Sequence, residues 1–161
     1  MPLQSAGVLV YRIRGRALEV LLVHPGGPLW KNKDAGAWGI PKGLFEPPEA
    51  PLDAARREFA EETGIAIEGR FMPLTPRRLK SGKLLHPFAV EGDLDVAAIR
   101  SNTFPMEWPP RSGRHQSFPE VDRGEWFALA EARRRISEGQ LPVLAELEAI
   151  LASRTSRERL V

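Results

Sequence analysis

An α+β fold is predicted from three observations. Short apolar, β-branched runs joined by tight turns crowd the front of the chain. Helix-period segments gather at the rear, and 161 residues suffice for one hydrophobic core but not for two domains. A single domain over residues 1–153 is expected, followed by a charged tail over 154–161.

Ser5 to Ile13 and Ala17 to His24 are rich in Val, Leu and Ile and flank Arg14-Gly15-Arg16, the pattern of a hairpin. Pro25-Gly26-Gly27-Pro28 stops the second strand, and Leu29 to Ala37 reads as a polar loop carrying Trp30, Lys31 and Lys33. Trp38-Gly39-Ile40 leads into Pro41-Lys42-Gly43. A helix is predicted over Pro51 to Thr63. Proline suits its first turn, where the missing N–H has no helical partner, and Gly64 suits the position just past its end. Leu52, Ala55 and Phe59 give that helix an apolar stripe.

Ile65 to Glu68 reads as a connection. Phe71 to Leu79 and Leu84 to Glu91 flank Lys80-Ser81-Gly82-Lys83 as a second hairpin, with Pro73, Pro76 and Pro87 marking edges or bends. A short helix is expected within Asp93 to Arg100. Ser101 to Pro119 reads as irregular and longer than a compact domain ordinarily keeps without a function. Glu125 to Ala128 returns as a strand. Helices follow over Leu129 to Glu138 and Leu141 to Ser153, the last supported by Leu144, Leu147 and Leu151.

Composition narrows the chemistry. Hydrophobic residues make up 42% and charged residues 27%, ordinary for a globular protein. No run approaches the ~18 apolar residues of a membrane span. The N-terminal stretch reads as a strand rather than a signal peptide, so a cytoplasmic location is expected. The absence of cysteine excludes disulfides, thiol catalysis and Cys-based zinc sites. His24, His86 and His115 lack metal-ligand spacing and read as structural or surface residues. A net charge of +2, from 23 basic and 21 acidic residues, is too balanced to imply nucleic-acid binding.

The informative segment is GLFEPPEAPLDAARREFAEETGI, from Gly43 to Ile65. Glu58, Glu61 and Glu62 fall at i, i+3 and i+4 on one helix face. Like charges at those spacings repel, so the cluster suits a cation held among them. Hard carboxylate oxygens suit Mg²⁺, which keeps several waters and is held by a few carboxylates and substrate phosphates. As a bare EFAEE string the same acids would be a solvated helix face. The full spacing of Gly43, Glu49, Arg57, Glu58, Phe59, Glu61, Glu62, Gly64 and Ile65 points instead to a site.

That nine-position pattern resembles the Nudix box of hydrolases that cleave nucleoside diphosphates linked to another group. Phe59 is a mild departure, standing where the family more often has an aliphatic residue. The resemblance implies an α/β/α sandwich over a mixed, curved sheet. It further implies Mg²⁺, with Mn²⁺ as the alternative ion, held by Glu58, Glu61 and Glu62 with the carbonyl of Gly43. Arg57 and Glu49 are expected to pair and hold the loop against the helix, completing the catalytic set. The entrance Trp38-Gly39-Ile40-Pro41-Lys42-Gly43 looks like the W-x-x-P-K-G step of members acting on dinucleoside polyphosphates or inositol pyrophosphates.

Cleaving a phosphoanhydride requires neutralised phosphate oxygens and a positioned, activated water, tasks that metal ions combine. Glu120 is the candidate loop carboxylate, as base and further metal ligand; Asp122, Glu107 and Glu58 are its rivals as base. Lys42 is the first candidate for phosphate. Arg111 and Arg114 follow, flanking a Ser-Gly turn whose amides could form an anion nest. Arg77, Arg78, Lys80 and Lys83 come next as phosphate contacts from the hairpin, although solvated charges of an edge strand are the better reading of them. Trp30 and Trp108 are candidates for stacking on a base. The expected function is therefore metal-dependent hydrolysis of a nucleotide polyphosphate, a dinucleoside polyphosphate or a nucleoside triphosphate. The alternatives are a catalytically idle nucleotide-binding domain and an enzyme acting on the 5′ pyrophosphate of RNA, the one nucleic-acid substrate the charge pattern permits. No membrane partner is expected.

Overall fold

The computed structural model describes residues 2–160, with side chains described through residue 154. Gln4–Arg14 (β1) and Ala17–Pro25 (β2) form the predicted hairpin. Arg14 lies opposite Ala17, and Gly15 in the turn has φ 62°, the left-handed conformation that two-residue hairpin turns require. Lys42–Phe45 (β3) then runs antiparallel to the first half of β1, with Gly7 opposite Lys42 and Gln4 opposite Phe45. β1 is thus shared along one edge, by β3 at its start and by β2 at its end. Between the two, Val8 N–H donates to the Pro41 carbonyl, and Val23 and Gly39 exchange both backbone hydrogen bonds. This holds the segment before Lys42 firmly in the sheet.

After the helix Pro51–Thr63 (α1), the second hairpin forms with its first strand broken in two. Met72–Pro73 (β4) and Arg77–Arg78 (β5) both pair with Leu84–Glu91 (β6). The interruption contains Pro76, which has no N–H for the ladder. Pro87, expected at an edge or bend, instead lies within β6, between β1 and the β4–β5 break. β6 runs parallel to β1 from Gln4 beside Leu84 to Tyr11 beside Glu91, which makes the seven-stranded sheet mixed.

Val121–Ala128 (the strand β9) closes the other edge against β2. Between β6 and β9, the expected helix within 93–100 shrinks to one 3₁₀ turn at Val96–Ala98, capped by the Asp95 carboxylate. The stretch expected to be irregular contains a two-stranded antiparallel ribbon, Thr103–Glu107 (β7) with His115–Pro119 (β8), separate from the main sheet. Its side chains are exposed or half-buried, so no strong apolar alternation announces it. The rings of Phe104 and Phe118, 6.2 Å apart, are its main apolar pairing.

Leu129–Arg135 (α2) stops short of Glu138, and a 3₁₀ turn at Glu138–Gln140 leads into Leu141–Leu160 (α3). The backbone expected as a charged tail from 154 continues this helix through Leu160. Arg, Glu and Leu are good helix formers and no Gly or Pro follows Pro142. Val161 lies outside the described residues.

The two faces of the sheet are covered separately, as the period of two along each strand dictates. Ala6, Val8 and Val10 of β1 pack with Ala54, Ala55 and Phe59 of α1. Leu9 and Tyr11 share the opposite core with Val143, Leu144 and Leu147 of α3 and Ala132 of α2. The result is the α/β/α sandwich.

Candidate active site

Helix α1 presents its acids because its other side is anchored. Ala54, Ala55 and Phe59 are fully buried, whereas Leu52, placed on the expected stripe, is half-buried. Thr63 ends the buried side, its hydroxyl donating to the Phe59 carbonyl at 2.7 Å. Gly64 adopts φ 72° and its N–H returns to the Ala60 carbonyl, a left-handed C-cap that a side chain would strain. The next free carbonyls of the helix end accept from a later segment: Glu61 O from Asn102 N–H at 2.8 Å, and Thr63 O from Arg100 N–H at 2.8 Å.

These bonds set the far wall of the site. Asn102 O accepts from Glu120 N–H, and Glu120 O accepts from Gly26 N–H, both at 2.9 Å. The chain from the end of α1 through Asn102 to Glu120 therefore brings that carboxylate, 58 positions after Glu62 in sequence, into the same cleft as Glu58, Glu61 and Glu62.

Arg57 organises the near wall. Its guanidinium grips Glu49 with two parallel hydrogen bonds of 2.8 and 2.9 Å, and its third nitrogen donates to Glu58 at 2.8 Å and Glu61 at 3.2 Å. The fork holds Glu49 below the usual carboxylate range and raises the Arg57 guanidinium further above its ordinary value, with the Glu49 bond the largest cause. Lys42 N–H donates to Glu62 at 2.9 Å. Gly43 lies so close to Glu58 that a Cβ there would collide with its carboxylate.

Burial, opposed by the Lys42 amide and charge and reinforced by Glu58 and Glu120, pushes the Glu62 carboxyl up to about 7. Burial likewise raises Glu58, against its bond to Arg57. Lys42 is lowered, chiefly by burial, with attraction to Glu62 opposing and the charge of Lys83 adding. Among the described residues, no three acidic or histidine side chains are already gathered tightly enough to hold a metal ion. Arg57 and the Lys42 amide engage one oxygen each of Glu58, Glu61 and Glu62. The donor set nevertheless fits a hard cation. Four carboxylates share one cleft, two of them are disfavoured as anions by burial and mutual repulsion, and a magnesium ion needs only one or two carboxylates beside its waters.

The cleft has a volume of about 730 Å³ and also takes in Trp30, Trp38, Ile40, Lys42, Gly43, Lys83, Asn102, Ser137 and Gln140. Of the residues singled out from sequence, Glu58, Glu61, Glu62, Glu120, Gly43, Lys42 and Trp30 come together there. Trp30 already carries the Lys33 ammonium 4.9 Å from its ring centroid. Arg111, Arg114 and Trp108 do not line the cleft. They sit at the far end of the ribbon, five strand residues from its base, a reach of roughly 17 Å. Backbone amides around the expected anion nest are engaged within the ribbon: Arg111 N–H, at φ 61°, donates to the Glu107 carboxylate at 2.7 Å, and Ser112 N–H to the Pro109 carbonyl at 3.1 Å. Glu107 is thereby committed, as is Asp122, whose oxygens both lie 3.0 Å from Nδ1 of buried His24. Sequence reading missed Asn102, Ser137 and Gln140 as lining residues. Nothing in their local pattern marks them.

A family model described as NUDIX domain matches residues 1–147. The chain is 28% identical over 135 residues to an octanoyltransferase of Myxococcus xanthus, covering 84% of this chain and 33% of that protein. It is 35% identical over 66 residues to an RNA pyrophosphohydrolase of Bartonella henselae, covering 38% of this chain and 35% of that one. The match thus spans about a third of the length of these curated relatives. Among solved structures, the Ap4A hydrolase of C. elegans in a binary complex superposes with a TM-score of 0.58 at 22% identity, covering 94% of this chain and 98% of that one. At that identity the likeness is one of fold.

Proposed function

This chain belongs to the Nudix family, and from that premise we propose that it is a divalent-metal-dependent pyrophosphohydrolase of a nucleotide polyphosphate, with a dinucleoside polyphosphate or a nucleoside triphosphate as substrate. The convergence of Glu58, Glu61, Glu62 and Glu120 on one cleft beside Lys42 is the observation that carries it. Glu58, Glu61 and Glu62, with the Gly43 carbonyl and Glu120, would hold Mg²⁺ or Mn²⁺. When bound, such an ion neutralises phosphate charge and acidifies water.

The chain's own groups divide the remaining work. Lys42 binds and orients a phosphate. Glu120, which the described residues leave without an ion pair, is the carboxylate available to take a proton from water. Arg57 is a positioning residue: its fork to Glu49 fixes the loop, and its other bonds aim Glu58 and Glu61. The test is incubation with diadenosine polyphosphates, nucleoside triphosphates and nucleotide sugars. Metal-dependent cleavage is expected, and Glu61→Gln or Glu62→Gln lowers turnover by ~10²-fold, the scale of a lost key group. Unchanged turnover in both variants removes their metal role. Saturable nucleotide binding with no product under several metals favours an idle binding domain instead.

The likeness to RNA pyrophosphohydrolases supports a second reading, action on 5′-triphosphorylated RNA. Salt-sensitive binding of such RNA, with release of pyrophosphate, distinguishes it.

A further inference from the structure

We infer that Lys83 is a specificity-determining residue that, with Lys42, forms a cationic patch in the cleft shared with the carboxylates and reads the length of the substrate's phosphate chain. This rests on the pyrophosphohydrolase reading above and extends it to a substrate class, polyphosphates with at least one phosphate beyond the cleaved diphosphate.

The basic residues of the second hairpin have different fates. Arg77 lies 3.6 Å from Glu146, Lys80 pairs with Glu138 at 2.7 Å, and Arg78 donates to the Gly82 carbonyl. The Lys83 side chain has no such partner among the described residues. It is half-buried and lines the cleft that holds Lys42. Lys42 is likewise without an ion pair there, although four carboxylates share the cleft. Arg57 is the cation that engages Glu58 and Glu61. The cleft therefore holds acids from α1 and from the bend at Glu120 between β8 and β9, together with two ammonium groups without ion pairs among the described residues, on β3 and in the β5–β6 turn.

Gln140 stands with them, 4% exposed. Its Oε1 accepts from Ile40 N–H at 2.9 Å, which fixes the amide and leaves its NH₂ group as a further donor. The carboxylates suit a cation-bridged diphosphate. The two lysines suit an additional anion on the same ligand, and each phosphate added to a chain brings charge that a two-phosphate substrate lacks.

The experiment compares kcat/KM of wild type, Lys83→Gln, Lys83→Arg and, as a control in the same turn, Lys80→Gln. Substrates are nucleoside triphosphate and dinucleoside tetraphosphate on one side and a two-phosphate nucleotide sugar on the other. Lys83→Gln is expected to lose about tenfold on the longer chains and less than about twofold on the nucleotide sugar, with Lys83→Arg restoring most of the loss and Lys80→Gln unaffected. An equal loss on both classes, or no loss, overturns the inference and leaves the hydrolase reading standing. Calorimetric binding of inorganic tripolyphosphate and pyrophosphate supplies a readout independent of turnover. Selective weakening of tripolyphosphate by Lys83→Gln supports the site even if wild type cleaves none of the substrates, in which case the hydrolase reading fails alone. Indifference of both ligands to Lys83 overturns the site.

Discussion

Glu62 is held between opposing influences. The Lys42 amide and charge favour its anion; burial, Glu58 and Glu120 disfavour it, and the balance lies near 7 in the metal-free protein. A carboxyl raised above its unfolded value contributes stability that is complete below about pH 4.5 and lost as pH rises through about 7. Metal-free protein should therefore become less stable across that window, and Glu62→Gln should flatten the decline. Magnesium should raise the melting temperature more at pH 8 than at pH 5, since the ion favours the anion. Thermal melts with magnesium or with chelator check this; identical pH profiles for wild type and Glu62→Gln count against it. At this scale the box was legible. Glu49, Arg57 and the three glutamates are close in sequence, and helical periodicity fixes their relation. Ser137 and Gln140 were not legible as cleft residues, and Lys83 was one of four hairpin cations that sequence could not tell apart, because their place depends on which strands and turns come to adjoin the box.

Helix α1 depends on its buried side to aim its acids. Phe59 is fully buried between the sheet and the helix and belongs to the core under β1. Phe59→Ala should cost about 3–5 kcal/mol, the range for emptying a buried aromatic site. Urea denaturation measures the loss, and a cost below about 1 kcal/mol would mean that the helix is not anchored there. The boundaries of α1 were readable because Pro51 and Gly64 act locally, through a missing N–H and a positive φ. The β7–β8 ribbon was not, for the opposite reason. Its strands pair by backbone hydrogen bonds with both faces largely in solvent, and Pro105 and Pro119 weaken the strand signal further. Once formed, the ribbon carries Arg111, Arg114 and Trp108 away from the cleft that their sequence neighbourhood suggested.

Across the whole molecule, the loop between β2 and β3 is clasped from several sides. Asp34 accepts from Trp38 Nε1 at 2.8 Å and pairs with Arg135 of α2, while His24 Nε2 lies 2.6 Å from the Lys33 carbonyl. The Trp38 hydrogen bond first, and then Arg135, hold the Asp34 carboxyl below its ordinary value. Its contribution to stability is present above about pH 3.8 and lost as pH falls through the lower folded value. Asp34→Asn should destabilise the protein at neutral pH and shrink the difference from wild type in strong acid. Acid titrations followed by circular dichroism test this; a constant difference at every pH would assign the effect to something other than the charge.

The mixed α+β character, the first hairpin, the limits of α1 and the shared face of Glu58, Glu61 and Glu62 could all be read from the residues alone, since turns, caps and the 3.6-residue period act within a few residues. Packing was needed to place Glu120 and Lys83 in the cleft with the box and Arg111 and Arg114 outside it. Those positions follow from long-range pairing, the bonds from the end of α1 to Asn102 and on to Glu120, and the parallel register of β6 on β1, in which residues far apart in sequence share hydrogen bonds that no local pattern encodes.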